Sequence, residues 1–359
     1  MRAVSRYRNE PAGVSELLPS LQPPVEEPLM NARRSFNPLL LILAPQVIGC
    51  IAYPYRVSVD FRESVPAAGV RKVVVDTSNG AIEVACTAGK NEIDVHAEKC
   101  ARGLTPDDAR KWAEEIRIAV APDPADPATL HVRADLPVSM DGRSQSASFR
   151  VAMPPSADLV LETSNGPVTV AGSEGEVRAR TSNGRIEARD LGGAISGRTT
   201  NGSITARNVR GDVDLHTSNG RIDMEQVGKD SVNATTSNGR IRVVDASGSA
   251  SIRSSNGSVE VRFRALPARP DIRVSTSNGS VTVEVPNSVN ADLAMDTSVG
   301  RVRADLQAVQ VADFESDRDR LRARLNDGGG AIDIRSSVGS VTFRTVAERG
   351  SRPGSGGGS

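Results

Sequence analysis

The side chains best suited to chemistry in this chain fall in a column. Four positions before successive glycines come Arg180, Arg198, His216, Thr235 and Arg253. If the segments that carry them stack in register, they form a basic stripe with a spacing of about 4.8 Å, along which a phosphorylated or acidic polymer can lie. Glu176, Asp212 and Asp214 offset part of that field, so the competing reading is a salt-bridged, solvated face. Asp212 and Asp214 share a face with His216, and a hydrolytic pair is conceivable there. Hydrolysis of that kind needs converging carboxylates, usually beside aromatic rings that stack on sugars. Between Ser156 and Thr345 the only aromatics are Phe263, Phe314 and Phe343. A second outward column, Glu187, Thr205, Asp223, Arg242, Glu260 and Thr282, mixes signs instead of gathering acids. We therefore expect no catalytic residues and no cofactor. A lyase or hydrolase of polysaccharide is the alternative, and a cleft with two carboxylates in range would favour it. No Cys-x-x-Cys or clustered His points to a metal.

The three cysteines divide by position. Arg33 and Arg34, then the apolar run from Pro38 to Gly49, have the form of a secretory signal that is too short to span a bilayer comfortably. Val47-Ile48-Gly49-Cys50 looks like a lipobox, in which Cys50 is lipidated and becomes the mature N-terminus; Ile48 departs from the usual small residue. The alternative is export with Cys50 an ordinary thiol. On this reading Met30 is the initiator, residues 1–49 are an upstream extension plus signal, and 50–71 are a tether. Cys86 and Cys100 then remain as an even pair in an oxidising setting, either disulfide-bonded or two buried thiols.

The elements that must position these residues come from a repeat. Glycines at Gly80, Gly166, Gly184, Gly202, Gly220, Gly239, Gly257, Gly279, Gly300 and Gly339 close a Thr-Ser-Asn-Gly turn or a variant of it, with steps of 18 or 19 residues from Gly166 to Gly257. Two residues after each glycine stands Ile or Val, and the next alternate position is Val, Ala, Met or Phe, the pattern of a half-buried strand. A second glycine in several repeats, such as Gly193 or Gly211, precedes another short alternation such as Val213 and Leu215. Each repeat is thus two strands and two turns. Stacking one on the next pairs every strand and closes a core, so the fold is all-β, a single-stranded β-solenoid over residues 72–345 with two or weakly three sides. The turn Asn becomes Val at Val299 and Val338 while the Gly stays, so we expect Gly to carry a left-handed backbone and the Asn amides to bond coil to coil.

One insert breaks the pattern. Thr105-Pro106-Asp107-Asp108 opens a helix within 105–117, with an N-cap, a first-turn proline and acids at the positive end. We expect it to cover an open end of the solenoid, with Trp112 packing there. Glu315 to Leu325 reads as charged and helical, Gly328-Gly329-Gly330 as a flexible link, and 346–359 as a disordered Gly/Ser tail. Lysine plus arginine equal aspartate plus glutamate at 44 each, so no global field draws the chain to nucleic acid, and a charge-based partner must use a local stripe.

The order of parts resembles a large bacterial family of adhesin-like proteins with a β-solenoid domain and unknown molecular function. The resemblance rests on Val73 to Gly80, the helix from Thr105 to Ile116, Pro154-Pro155 leading into Leu159 to Gly166, the serial turns, and Gly330 to Ile334. It implies an envelope or surface location and supplies no catalytic residues. Combined with the lipobox, it leads us to expect an exported lipoprotein held at the membrane by its anchor. Its partner would be envelope polysaccharide, another anionic polymer or a surface protein.

Overall fold

The structure, a computed structural model, describes residues 53–137 and 144–347. The signal segment, Cys50 and the Gly/Ser tail after residue 347 lie outside the described residues.

The N-terminal elements are β1 (Tyr55–Pro66), β2 (Lys72–Asn79), β3 (Ile82–Cys86), β4 (Glu92–Gly103), α1 (Pro106–Glu114), β5 (Arg117–Pro122), β6 (Thr129–Asp135) and β7 (Gln145–Met153). The regular coils follow: β8 (Asp158–Asn165) and β9 (Val168–Ala171), β10 (Val177–Asn183) and β11 (Ile186–Leu191), β12 (Ile195–Asn201) and β13 (Ile204–Val209), β14 (Val213–Asn219) and β15 (Ile222–Val227). They continue as β16 (Ser231–Asn238) and β17 (Ile241–Ser247), β18 (Ser249–Asn256) and β19 (Val259–Ala265), β20 (Asp271–Asn278) and β21 (Val281–Pro286). The C-terminal part holds β22 (Ala291–Val299), β23 (Val302–Asp305), β24 (Val311–Ser316), β25 (Arg320–Leu325), β26 (Ala331–Val338) and β27 (Val341–Val346).

Two sheets face each other, one of 14 strands built mainly from the strands before each turn glycine and one of 13 built mainly from those after it. Pairing between regular coils is parallel and in register, apart from a shift between β17 and β19 after Val243. The inward positions two and four residues after the turn glycines, such as Ile186, Ala188, Ile204 and Ala206, are buried and interlock in one continuous core, with Val302 and Ala304 after Gly300 only partly buried. The chain is a two-sided β-solenoid.

Both ends depart from sequence order. At the first, β6 and β7 form a coil outside β2 and β3, so the earliest coil is sandwiched between later ones. At the second, β26 pairs in parallel with β20 on one side and β22 on the other, and β27 does the same between β21 and β23. The last coil of the chain is therefore a wedge driven between the two that precede it.

Several expectations need correction. Residues 55–66 are not part of a tether: β1 pairs antiparallel with β4 along its whole length, and Val57, Val59 and Phe61 alternate toward the protein. Residues 315–325 are not helical. The run Arg320-Leu321-Arg322-Ala323-Arg324-Leu325 alternates with period two, so β25 buries Leu321, Ala323 and Leu325 while Arg320 and Arg324 reach Asp296 and Asp292 at 2.9 and 3.2 Å. Gly328 and Gly329, at φ of +67° and +93°, belong to a hydrogen-bonded turn: the Gly328 and Gly330 amides donate to the Leu325 and Asn290 carbonyls.

Helix α1 forms as its sequence requires. The Thr105 hydroxyl accepts from the Asp108 amide at 3.1 Å, and Ala109 and Ala113 are buried where the helix packs on β4 and β1. It thus lies on the outermost strands of the 13-stranded sheet. Trp112 meets Tyr53 edge to face, with centroids 5.7 Å apart.

Candidate functional site: an in-register stripe on the 14-stranded sheet

Each turn is held by three stacked columns. The Asn side chains form a ladder in which Asn165 donates to Asn79, Asn183 to Asn165, and so on to Asn278, at 2.7–3.0 Å. The Thr or Ser two positions before it is buried, and its hydroxyl donates to the glycine carbonyl of the adjacent coil, as Thr199 does to Gly184 at 3.0 Å. The glycines form the third column, and here the expected reason for glycine is wrong. Gly80, Gly166, Gly257, Gly279 and Gly339 have φ of +147° to +157°, near the extended limit, and the other five lie outside the left-handed range. Common to all ten is close approach: a Cβ would overlap a carbonyl oxygen of the adjacent coil. The left-handed corner sits six residues further on, at Gly172, Asp190, Asn208, Gln226 and Asp245, with φ of +53° to +78°. We did not anticipate that column, although small or amide-bearing residues recur there at the repeat spacing.

This scaffold places the predicted stripe as a stripe. Arg180, Arg198, His216, Thr235 and Arg253 are successive register partners on β10 to β18. Arg198 pairs with Asp214 at 3.2 Å, whereas Arg180, His216 and Arg253 have no ion-pair partner among the described residues. Glu176 is occupied by Arg178 at 2.9 Å, and Asp212 accepts from the Ser231 amide. Asp212 and Asp214 are thus held apart by different partners rather than drawn into a carboxylate pair.

The other face mixes its signs. Glu187, Thr205, Asp223, Arg242, Glu260 and Thr282 also stack in register on the 13-stranded sheet. Several of its cations are matched by neighbouring acids, Arg185 with Glu187, Arg207 with Glu225, Arg221 with Asp223 and Arg242 with Glu260, while Arg189, Arg264 and Arg303 have no ion-pair partner among the described residues. Unpaired arginines therefore occur on both sheets; what sets the 14-stranded sheet apart is that Arg180, His216 and Arg253 share one column.

Two features of the stripe escaped the sequence reading. Beside it runs an outward column of hydroxyls two before each glycine, among them Ser182, Thr200, Ser218, Ser237, Ser255 and Ser277. The wedge also extends the stripe, because β26 sets Arg335 beside Ser275 and next to Asp296. At this end the sheet carries a trough of about 650 Å³, lined also by Asp319 of the β24–β25 turn and Arg320 at the start of β25.

Cys86 and Cys100 are free in this structure. Cys86 lies opposite Met153 on β7 and Cys100 opposite Ser146, so they sit about 20 Å apart along that strand, far beyond disulfide reach. Burial pushes the Cys86 thiol up to about 11, and Arg56 Nε donates to Cys100 Sγ at 2.9 Å. Among the described residues no cluster of three or more His, Cys, Asp or Glu is placed to hold a metal, and no helix is long and apolar enough to cross a membrane.

Two facing parallel sheets wound as stacked coils define a β-solenoid repeat protein. Within that class, the sequence model of the Toastrack DUF4097 family matches residues 70–344, and the chain belongs to that family. Solved structures similar to it include a putative cell adhesion protein from Clostridium sporogenes, at 10% identity over 81% of this chain and 100% of that one, with a TM-score of 0.20. Two proteins named putative adhesins also match. The one from Bacteroides fragilis is 12% identical over 79% of this chain and 96% of its own, TM-score 0.31; that from Parabacteroides distasonis is 9% identical over 80% and 97%, TM-score 0.32. A comparison with curated proteins finds no match.

Proposed function

We propose that this chain is a non-catalytic module of the bacterial envelope, exported and tethered through lipidated Cys50, that presents the stripe on its 14-stranded sheet to an anionic envelope polymer. The observation that carries the reading is the alignment of Arg180, Arg198, His216, Thr235 and Arg253 as successive register partners in one column, in which only Arg198 is ion-paired among the described residues. Stacked charges at a fixed spacing suit a repeating ligand better than a single small molecule.

The test is retention on an immobilised anionic polymer with Arg180, Arg198 and Arg253 changed together to Ala. Retention should fall by about tenfold or more, and retention of the unmodified chain should weaken as salt rises. Unchanged retention would sink the binding role. The tether is tested separately by Cys50→Ala, which should move the protein from the membrane fraction to the soluble one on cell fractionation. Persistence in the membrane fraction would remove Cys50 as the anchor.

A further inference from the structure

The turn ridge changes character at one place. From Asn79 to Asn278 the ladder is unbroken, and then the two coils beyond it carry Val338 and Val299 in the same column. These valines are 39 residues apart in the chain but adjacent across β26 and β22, and they are 49% and 64% exposed. Replacing Asn by Val there forgoes the ladder hydrogen bonds and shows apolar surface to water, neither of which helps the fold. The same coils line the trough with Ser337 and Ser298, each the residue immediately before one of the valines, which themselves lie just outside the lining.

The trough's charges point to one class of ligand. Arg253 is without an ion-pair partner among the described residues, and Arg335, its side chain 65% exposed, reaches Asp333 at 2.6 Å. Arg320 is bonded to Asp296 at 2.9 Å, and Asp319 adds a second carboxylate. With two acids among three arginines the trough carries little net charge, which suits sparse better than dense anionic charge, and the acids can accept hydrogen bonds from neutral hydroxyls. Hydroxyls of Ser255, Ser277 and Ser337 lie between them. A ligand that offers occasional carboxylates to Arg253 and Arg335, many hydroxyls to the serine column and both acids, and a C–H face to the valines satisfies every part.

We infer that the trough at the C-terminal end of the stripe is a binding site for an acidic carbohydrate, a sugar chain that carries carboxylates, with Val299 and Val338 as its apolar platform. This rests on the proposed function and names the ligand class and place within it. It also explains why the last coil is a wedge: only that insertion puts Arg335 between Ser275 and Asp296, and Val338 beside Val299.

The test is calorimetric titration of the full chain with oligosaccharides of alginate, polygalacturonate and hyaluronan, with neutral dextran oligosaccharides, and with polyphosphate. At least one uronate chain should bind, and dextran should bind more weakly. Arg253→Ala with Arg335→Ala should weaken uronate binding by about tenfold or more, while Arg180→Ala with Arg198→Ala should change it less than about threefold. Val299→Asn with Val338→Asn should cost about tenfold in uronate binding without lowering the melting temperature, and leave any polyphosphate binding unchanged. If uronate binding survives the Arg253 and Arg335 changes but falls with those at Arg180 and Arg198, the trough is wrong and the broader stripe stands. Polyphosphate bound in preference, with no effect of the valine changes, would overturn the carbohydrate assignment while leaving an anionic partner. Failure of every anionic probe would overturn both.

Discussion

Ending the chain after Gly330 should unravel one end of the protein while leaving the middle intact. The deletion removes β26 and β27 and with them buried Ile332, Ile334, Val341 and Phe343, a loss on the order of 6 kcal/mol or more of apolar burial. It also leaves β20 and β21 facing β22 and β23 across an empty space one coil wide, with unpaired edges on both sides. Since stacked repeats are stabilised by their nearest neighbours, the damage should stay local. Hydrogen exchange should show protection lost over β22 to β25 and kept from β8 to β19. A peptide of residues 331–347 added in trans should restore it by strand addition. Wild-type protection of β22 in the truncated chain would mean that β22 pairs directly with β20, and that the wedge is dispensable.

The second large effect is expected at a single methyl group. Gly202→Ala places a Cβ on the carbonyl oxygen of Gly184, which is itself held in the glycine column and accepts from Thr199. Neither backbone can retreat without opening the Asn and Thr columns of the same turn. The cost should be about 3 kcal/mol or more, at the upper end of overpacking, read as a shift in the denaturant midpoint. Thr200→Ala, on the exposed column two residues earlier, should stay within about 0.5 kcal/mol. A Gly202→Ala protein within about 1 kcal/mol of the original would refute close approach as the reason for the glycines.

These two cases show how legibility depends on what the chain repeats. The coil, its inward Ile and Val, the Asn ladder and the register of Arg180 through Arg253 were all readable, because each recurs at one spacing and stacking converts sequence period into spatial neighbours. The role of glycine was misread, since a glycine that never varies can mean an unusual backbone angle or the absence of room. The valines excluded Asn from the left-handed role without establishing which reason applied to Gly. Strands β1 and β25 were lost for another reason: each alternates clearly, in Val57-Ser58-Val59 and in Leu321-Arg322-Ala323, but neither ends in the turn signature, and charge drew attention away from the period. The trough could not be read at all, because its walls meet only through the out-of-order insertion that sets Val338 beside Val299.

The regular coils between β8 and β15 also act as a ruler. Every coil adds about 4.8 Å between the β1 end and the trough, and none of the out-of-order pairings at either end passes through them. Duplication or loss of one 18-residue unit there would change the reach of the trough in fixed increments while leaving its chemistry untouched. The distance between the two ends of the solenoid is then a quantity this architecture can vary by gene-level copying alone, without redesigning either end.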